Sequence, residues 1–326
     1  MLWALAACGE ADGLDARGGG GAGAAAGQAA AGAQSAAPVD PLAEIEAFVP
    51  EPGQSLDVIE VRDERGELKL RRGVLRDADG MVNHGRFQRW HPNGQQAEDG
   101  HYFAGQRHGR YTVIADSGLK ETEIEYRRGV RHGEALSWTR LGALKERAHY
   151  VDGVLHGEFD ARSGATRVRG TYDHGVEVGP WTWTDLEGQR QREGRFEQGV
   201  RSGLWRTWHP GEILATEEPY VAGQLEGVLV EYDVQGVRRA EREYVAGQLQ
   251  GEVREYHPDG SPSAVIAYAD GVPHGPQTRW YEGGAVQMQG SMERGKRSGQ
   301  WVYYRPDGSR NEAWSGTYEA DVRVGD

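Results

Sequence analysis

The sequence has few of the residues that build an ordinary globular core. Its 326 residues include one cysteine, five phenylalanines and four methionines, and hydrophobic residues make up only 37%. A conventional two-domain enzyme of this length needs more leucine, isoleucine and valine to fill its cores. The single cysteine, Cys8, excludes an intrachain disulfide and any cysteine-rich metal site.

Positive charge is also scarce. The chain has 37 Lys and Arg against 50 Asp and Glu, which gives a formal net charge of −13. Proteins that bind nucleic acid or anionic lipid carry basic surface patches. The charge balance therefore predicts no nucleic-acid partner, and contact with a membrane only through a lipid anchor.

Glycine is abundant instead, with 49 residues, beside 10 tryptophans and 14 tyrosines. Collagen is excluded because no Gly-X-Y triplet persists and proline numbers only 13. Disorder of the whole chain is excluded because disordered proteins are poor in aromatic residues. A repeat protein remains.

The N-terminus combines features of a lipoprotein signal and a tether. Leu5-Ala6-Ala7-Cys8 resembles the bacterial lipobox, so we predict that residues 1–8 are a partial lipoprotein signal and that Cys8 is lipidated. Only seven residues precede Cys8, and none is Lys or Arg, which suggests the hypothesis of a true start further upstream. Residues 9–55 are predicted to be a Gly/Ala-rich flexible linker, with a short helix over 41–48.

From residue 81 onward the chain repeats itself, with a period of about 24 residues that lies in the range of known repeat proteins. Eight of ten intervals between recurring glycines equal this period, and the column contains Gly85, Gly109, Gly133, Gly157, Gly179, Gly203, Gly227, Gly251, Gly275, Gly299 and Gly325. A second glycine lies four residues before most of these, and an aromatic residue usually lies three residues before that second glycine. Such a ladder indicates a repeat architecture.

Each unit is predicted to be a β-hairpin. In the unit that spans 247–270, residues 252–256 and 263–268 form strands, and His257-Pro258-Asp259-Gly260 forms the turn between them. Residues 56–80 are predicted to be an N-terminal capping hairpin, and residues 81–326 the repeats. The predicted fold class is all-β: an elongated array of about ten antiparallel β-hairpins after a disordered N-terminal tether. The interval from Gly157 to Gly179 is two residues short, where we expect a local kink.

The period and motifs resemble the MORN repeat, particularly its bacterial variant form. Two segments that carry the resemblance are Gly105-Gln106-Arg107-His108-Gly109-Arg110-Tyr111 and Trp301-Val302-Tyr303-Tyr304-Arg305-Pro306-Asp307-Gly308. The resemblance covers about residues 81–326 and implies a hairpin array that serves as a scaffold or binding surface. Some members of the variant group are catalogued as antitoxins of toxin–antitoxin pairs. Gln277 and Ala135 depart from the pattern by replacing aromatic residues.

The aromatic columns supply both the predicted core and a candidate binding surface. A lone hairpin is marginal in water, so the rings of neighbouring units must stack on one another and on small residues. We take six aromatic residues as the candidate binding surface: Trp90, Trp138, Trp183, Trp208, Trp280 and Tyr304. Stacking of sugar rings on these side chains is an alternative, although regular packing explains most of the pattern.

Histidines recur in two groups. One group occupies a single repeat position: His84, His108, His132, His156 and His274. Successive members of this row are expected to lie about 9–10 Å apart, because two strands separate them. That spacing is too wide for a shared metal ion. His91, His209 and His257 precede proline at turns. We predict turn-stabilising histidines in both groups.

No catalytic motif of a known class appears in the sequence, and no insertion is long enough to build a pocket. We therefore predict no catalytic activity, no cofactor and no metal site. The predicted function is that of a repeat scaffold that binds another protein, lipid-anchored in the outer membrane or cell envelope. Alternatives are a cytoplasmic antitoxin-like partner of a toxin and a binder of cell-wall polysaccharide. An open edge at the C-terminal strand also predicts a homodimer.

Overall fold

The alternating residues of each repeat form strands, as predicted. The computed structural model describes residues 40–326, and these contain 25 strands and one short helix. All strands join one open antiparallel sheet in hairpin order, in which each strand pairs with its neighbours in sequence except beside two strands of only two residues. The array of antiparallel hairpins is thereby confirmed. The predicted lipobox, Cys8 and the first part of the linker lie outside the described residues.

The helix and the first half of the strands follow one another without crossovers. Their bounds are α1 (Pro41–Glu46), β1 (Ser55–Arg62), β2 (Leu68–Asp77), β3 (Gly80–Trp90), β4 (Gln96–Phe103), β5 (Gln106–Arg107), β6 (Gly109–Ile114), β7 (Lys120–Arg127), β8 (Val130–Trp138), β9 (Leu144–Val151), β10 (Val154–Ser163), β11 (Thr166–Asp173) and β12 (Val176–Thr184). The pair β1–β2 is the predicted capping hairpin.

The second half continues in the same way. The bounds are β13 (Arg190–Glu197), β14 (Val200–His209), β15 (Ile213–Val221), β16 (Gln224–Leu225), β17 (Gly227–Tyr232), β18 (Arg238–Val245), β19 (Gln248–Tyr256), β20 (Pro262–Ala269), β21 (Val272–Trp280), β22 (Val286–Glu293), β23 (Lys296–Tyr303), β24 (Gly316–Glu319) and β25 (Val322–Gly325). Strands β6 and β17 pair back to β4 and β15 past the two-residue strands β5 and β16.

One edge of the sheet is formed by five-residue turns. In the turn His91–Gln95, the backbone N–H of His91 donates to the carbonyl of Gln95 at 2.8 Å, and that of Gly94 donates to the carbonyl of His91 at 3.0 Å. Gly94 has a φ of +85°. These bonds define a type I turn followed by a glycine bulge, which explains the recurring Pro-Asx-Gly. We call this side of the sheet the five-residue edge.

The opposite edge is formed by two-residue turns. Asp270 and Gly271 have φ values of +52° and +79°. Two successive positive values define a type I′ turn, the form that suits the twist of antiparallel strands. The N–H of a turn glycine also donates to the preceding unit, as Gly247 does to the carbonyl of Leu225 at 2.9 Å. Such bonds hold each turn on its neighbour along what we call the two-residue edge.

The core is a thin strip of aromatic side chains. Tyr111, Trp181, Trp205 and Trp301 are its most buried rings. The ring of Phe196 meets that of Trp205 edge-to-face, with centroids 4.9 Å apart. Edge-to-face pairs add to the free energy gained by burial. The strip provides the stabilisation that aliphatic side chains provide in other folds.

Each large core ring faces a glycine that lies eleven residues earlier in the sequence. A Cβ on any of these glycines would come within 2.1–2.2 Å of the opposing ring; the pairs are Gly100–Tyr111, Gly170–Trp181, Gly194–Trp205 and Gly290–Trp301. In the two units whose core position holds Ala135 or Gln277 instead of an aromatic residue, the residue eleven positions earlier is large instead of glycine. Ala135 pairs across the sheet with Ile124, and Gln277 pairs with Ile266. In these pairs the volume of one residue is matched to that of the residue it faces.

The short unit differs only in its turn. Ser163 pairs with Thr166, so a two-residue turn of Gly164 and Ala165 replaces the usual five residues. The strands β10 and β11 then pair with no register shift. The expected kink is therefore not visible in the strand register, because the turn takes up the two missing residues.

The C-terminal edge strand is short and open. All four residues of β25 are exposed, and the guanidinium of Arg323 contacts the carboxylate of Asp326 at 2.6 Å. Short strands with charged side chains are poor templates for pairing with another chain. A homodimer through this edge stays a prediction.

Candidate functional site

The six predicted surface aromatics are all half-buried. Trp183 differs from the other five because it follows the core residue Trp181 by two positions on β12 and therefore lies on the same face of the sheet. Its ring centroid is 5.7 Å from that of Trp205. Trp183 thus belongs to the core strip. Trp90 lines a shallow depression of about 550 Å³ near Lys69 on the five-residue edge.

Cationic side chains lie over three of these rings. The distance from the cation to the ring centroid is 5.5 Å for Lys120 over Trp138 and 4.6 Å for Arg190 over Trp208. Arg192 lies 5.1 Å from the centroid of Trp183. Such contacts are attractive because the face of an aromatic ring is negative. The protein's own cations therefore cover one face of each of these three rings, and a sugar needs an uncovered face for stacking.

The histidines before proline link neighbouring units along the five-residue edge. The Nε2 atoms of His91, His209 and His257 lie 2.7–3.0 Å from carbonyl oxygens of the following unit. The hydroxyl of Tyr281 fills the same role by donating to the carbonyl of Tyr304 at 2.9 Å. These side chains stabilise turns, as predicted, and they do so between units.

The other histidine row lines the two-residue edge. Each Nδ1 atom accepts a hydrogen bond from the backbone N–H of the turn in the next unit, at 3.1–3.4 Å, and the five are His84, His108, His132, His156 and His274. At the equivalent positions of other units, Glu226 and Gln250 accept the same bond with side-chain oxygens. This position therefore needs a side-chain hydrogen-bond acceptor rather than a charged group, which confirms the turn-stabilising role of the histidines.

A segment of the predicted linker lies against the start of this row. Helix α1 begins after Asp40, whose carboxylate accepts the N–H of Leu42 at 2.9 Å. Beyond the helix, the ring of Phe48 packs on those of His84 and Phe103, with centroid distances of 4.3 and 5.6 Å. The N-terminal segment is thus held on the first units by aromatic packing.

Polar contacts extend this docking to the next unit. Glu44 of α1 accepts a hydrogen bond from the guanidinium of Arg128 at 3.3 Å, and it lies 3.7 Å from Nε2 of His108. The helix also approaches the backbone closely, because a Cβ on Gly109 would lie 3.6 Å from Pro41. We call residues 41–48 the docked segment.

The docked segment divides the histidine row into a covered and an uncovered part. His84 and His108 are only 3% and 1% exposed. The side chains of His132 and His156, in the following units, are 34% and 40% exposed. The same structural position is therefore partly exposed in the units that follow the docked segment.

Partly exposed valines continue along the uncovered edge. Each valine follows the glycine of a two-residue turn. The position of the histidine row lies two residues later in the same strand, so the valine and the row residue lie on the same face of the sheet. Their exposed fractions are 40–45%, and they are Val130, Val154, Val176, Val200 and Val272. The turn glycine of the next unit lies close to each of the first four, since a Cβ on that glycine would come within 3.1–3.3 Å of the valine. A row of apolar side chains at an exposed edge is typical of an interaction surface.

Acidic conditions are expected to release the docked segment. Burial lowers the pKa of His84, and burial lowers that of His108 although Glu44 acts in the opposite direction. A free histidine has a pKa of about 6.5. Below about that pH, the undocked state binds protons that the docked state does not, so docking weakens as pH falls. Amide hydrogen exchange over residues 41–48, expressed at pH 7.5 and at pH 5 relative to the intrinsic exchange rate at that pH, measures this release.

A matched variant separates the histidine effect from general acid sensitivity. His108→Gln keeps a side-chain acceptor, since Gln250 fills that role in another unit, and it removes one titrating group. We expect this variant to show a smaller increase in exchange between the two pH values than the unchanged protein. An equal increase in both proteins would contradict the role of His108, whose ring faces Glu44 and lies near Arg128 and His101.

Between residues 40 and 326, no helix is both long and apolar enough to cross a membrane.

Comparisons with known proteins add little to this description. No protein-family model matches the chain, and no curated protein matches it. Two matches among solved structures are crystal structures of TcdB2-TccC3 and of TcdB2-TccC3-Cdc42, each at 12% sequence identity, with TM-scores of 0.19 and 0.18. Each match covers 82% of this chain but only 17% and 16% of those chains, so the chain spans about a sixth of their length.

Proposed function

We propose that this chain is a non-catalytic repeat scaffold whose two-residue edge binds a short segment of a partner protein. The observation that carries this proposal is the docked segment, which occupies the same edge over the first two units. Repeat arrays present one surface many times, so a site filled in one unit has equivalents in the next. The uncovered equivalents begin at His132.

The docked segment also indicates the chemistry of the partner. It contributes the aromatic ring of Phe48, the apolar side chains of Pro41 and Leu42 and the carboxylate of Glu44. The uncovered edge offers matching groups. Val154 and Val176 are apolar, and Arg131 lies over the ring of Tyr150 at 5.2 Å from its centroid. Asp152 stands at the place of Arg128 in the next unit, so the carboxylate of Glu44 has no equivalent partner there. A short partner segment with an apolar or aromatic residue therefore fits this edge.

The proposal extends to the place where the scaffold works. The lipobox-like sequence around Cys8 supports attachment to the cell envelope through a lipid, with the repeats held away from the membrane by the Gly/Ala-rich linker. The resemblance to MORN-repeat variants supports an alternative, in which the chain is a soluble antitoxin. Cell fractionation separates the two, because recovery in the membrane fraction that depends on Cys8 favours the anchored scaffold.

Site-specific photo-crosslinking tests the binding edge. A photoreactive amino acid is introduced at Val154 on the two-residue edge, and the full chain is irradiated in the cells that produce it. We expect one partner protein to be captured from this position, because the side chain is exposed beside the uncovered row. Leu141 and Leu186 are matched control positions, since both are exposed and apolar but lie on the five-residue edge.

The outcome discriminates between the candidate functions. Capture of the same partner from Val154 but not from Leu141 or Leu186 supports an edge-specific scaffold. Equal capture from both edges, or capture of only a second copy of this chain, would overturn the proposal.

A further inference from the structure

One two-residue turn brings a second histidine and a carboxylate to the histidine row. His156 lies at the start of β10, and the pairing of Gly157 with Tyr172 places it beside Asp173 at the end of β11. His174, the next residue, is the first residue of the turn and has a φ of +49°. Potential ligand atoms from the three side chains all lie within 4.8 Å of one another. The spacing of about 9–10 Å between histidines of neighbouring units argues against a metal ion shared along the row. It does not apply to this set, because Asp173 and His174 lie directly beside His156.

The distances suit a transition metal ion. Nδ1 of His156 is 3.3 Å from Oδ1 of Asp173, and Nδ1 of His174 is 2.6 Å from the same oxygen. Two ligands of a tetrahedral zinc ion lie about 3.3 Å apart, because each bond to the ion is about 2.0–2.1 Å long. The first distance already has this value, and an ion bound to Nδ1 of His156 would replace the hydrogen bond of 3.4 Å that this atom accepts from the backbone N–H of His174. A small rotation of the half-exposed carboxylate or of His174 suffices to adjust the second.

The same place in other units lacks one or more of these ligands. His132 lies 3.3 Å from the carboxylate of Asp152, but Val151 stands where the unit of His156 has Asp173. The turn opposite His274 carries Arg294 in place of a histidine. Among residues 40–326, the set of three occurs once. It is therefore a feature of this unit and not a consequence of the repeat.

We propose that His156, Asp173 and His174 form a binding site for one divalent transition metal ion, with zinc as the best fit. Two imidazole nitrogens and a carboxylate oxygen are ligands that zinc accepts readily. Three protein ligands leave at least one coordination position open, and the side chain of His174 is 79% exposed, so water or a group from another molecule has access to the ion. The ion would join the first residues of β10 to the turn after β11.

Titration of the full chain with zinc chloride tests this site. Calorimetry under reducing conditions is expected to show saturable binding of one ion per chain at the site, and histidine ring NMR signals of His156 and His174 should shift together. His174→Ala removes one of the three ligands and should lower the zinc affinity by at least about tenfold. Even the loss of a residue that only hydrogen-bonds to a metal ligand lowers metal affinity about 10- to 100-fold. Cys8→Ser serves as a background variant, so that binding by the thiol is not counted.

His132→Ala is the matched control. His132 belongs to the same row, accepts the same turn-capping hydrogen bond and lies near a carboxylate. Unlike His156, it has no second histidine beside it. We expect this variant to bind zinc as the unchanged protein does. Equal loss of affinity in His132→Ala and His174→Ala, or the absence of saturable binding in the unchanged chain, would overturn the proposal. Neither outcome bears on partner binding at Val154, which needs no metal.

Discussion

Replacing Gly194 with isoleucine is expected to lower the free energy of unfolding by up to about 3 kcal/mol. A Cβ at this position would lie 2.1 Å from the ring of Trp205, which is only 1% exposed and is packed on the ring of Phe196. Isoleucine otherwise favours strands, so a loss of stability identifies the steric clash. Urea unfolding of the full chain, followed by tryptophan fluorescence and by far-ultraviolet circular dichroism, measures the change.

A second substitution is expected to relieve the clash. Trp205→Ala removes the opposing ring, and the double variant then has the arrangement that Ile124 and Ala135 already have in another unit. The double-mutant cycle should give a favourable coupling energy of about 1–3 kcal/mol. If the destabilising effects of the two substitutions simply add, the volume of the opposing pair does not govern packing in the strip.

Replacing Trp301 with alanine is expected to cost about 3–5 kcal/mol. Its ring is 1% exposed and lies over Gly290, and its Nε1 donates to the carbonyl of Ser291 at 3.0 Å. The glycine opposite leaves nothing to fill the cavity, so relaxation recovers little of the lost packing. Trp314→Ala is the control, because that side chain is 61% exposed and its removal should cost roughly 0.5 kcal/mol or less.

The loss at Trp301 should also be local. Units of a repeat protein contact mainly their neighbours, so a defect at one end leaves distant units folded. Amide hydrogen exchange in the Trp301→Ala variant should rise in β21–β25 and stay unchanged in β6–β9. A uniform increase along the chain would contradict independent units and indicate one cooperative core.

Much of the fold could be predicted from the sequence, because the same pattern of residues recurs in successive units. The regular glycine period located the hairpins, and the Pro-Asx-Gly segments located the five-residue turns, where only a glycine easily adopts the bulge conformation. The pairing of each large ring with a glycine eleven residues earlier is also present in the sequence. Its meaning depends on the strand register that makes these residues face one another, which the sequence alone does not show.

The candidate site was predictable only in part. The histidine row was visible, and its role in stabilising turns followed from its position. The aromatic surface was harder to judge, because Trp183 resembles the other five residues in type, while its position two residues after Trp181 places it in the core strip. The row of partly exposed valines was missed, although its members mostly recur at the same period as the glycines, and that recurrence was the signal that marks them.

The all-β class and the array of hairpins follow from the sequence alone, since these depend on residues close together in the chain. Contacts between distant side chains follow only from the folded structure. Only the structure places Phe48 and Glu44 against His84 and His108, and His156 beside Asp173 and His174. Sheet register and turn geometry bring these side chains together from different units of the chain, and no local pattern encodes such contacts.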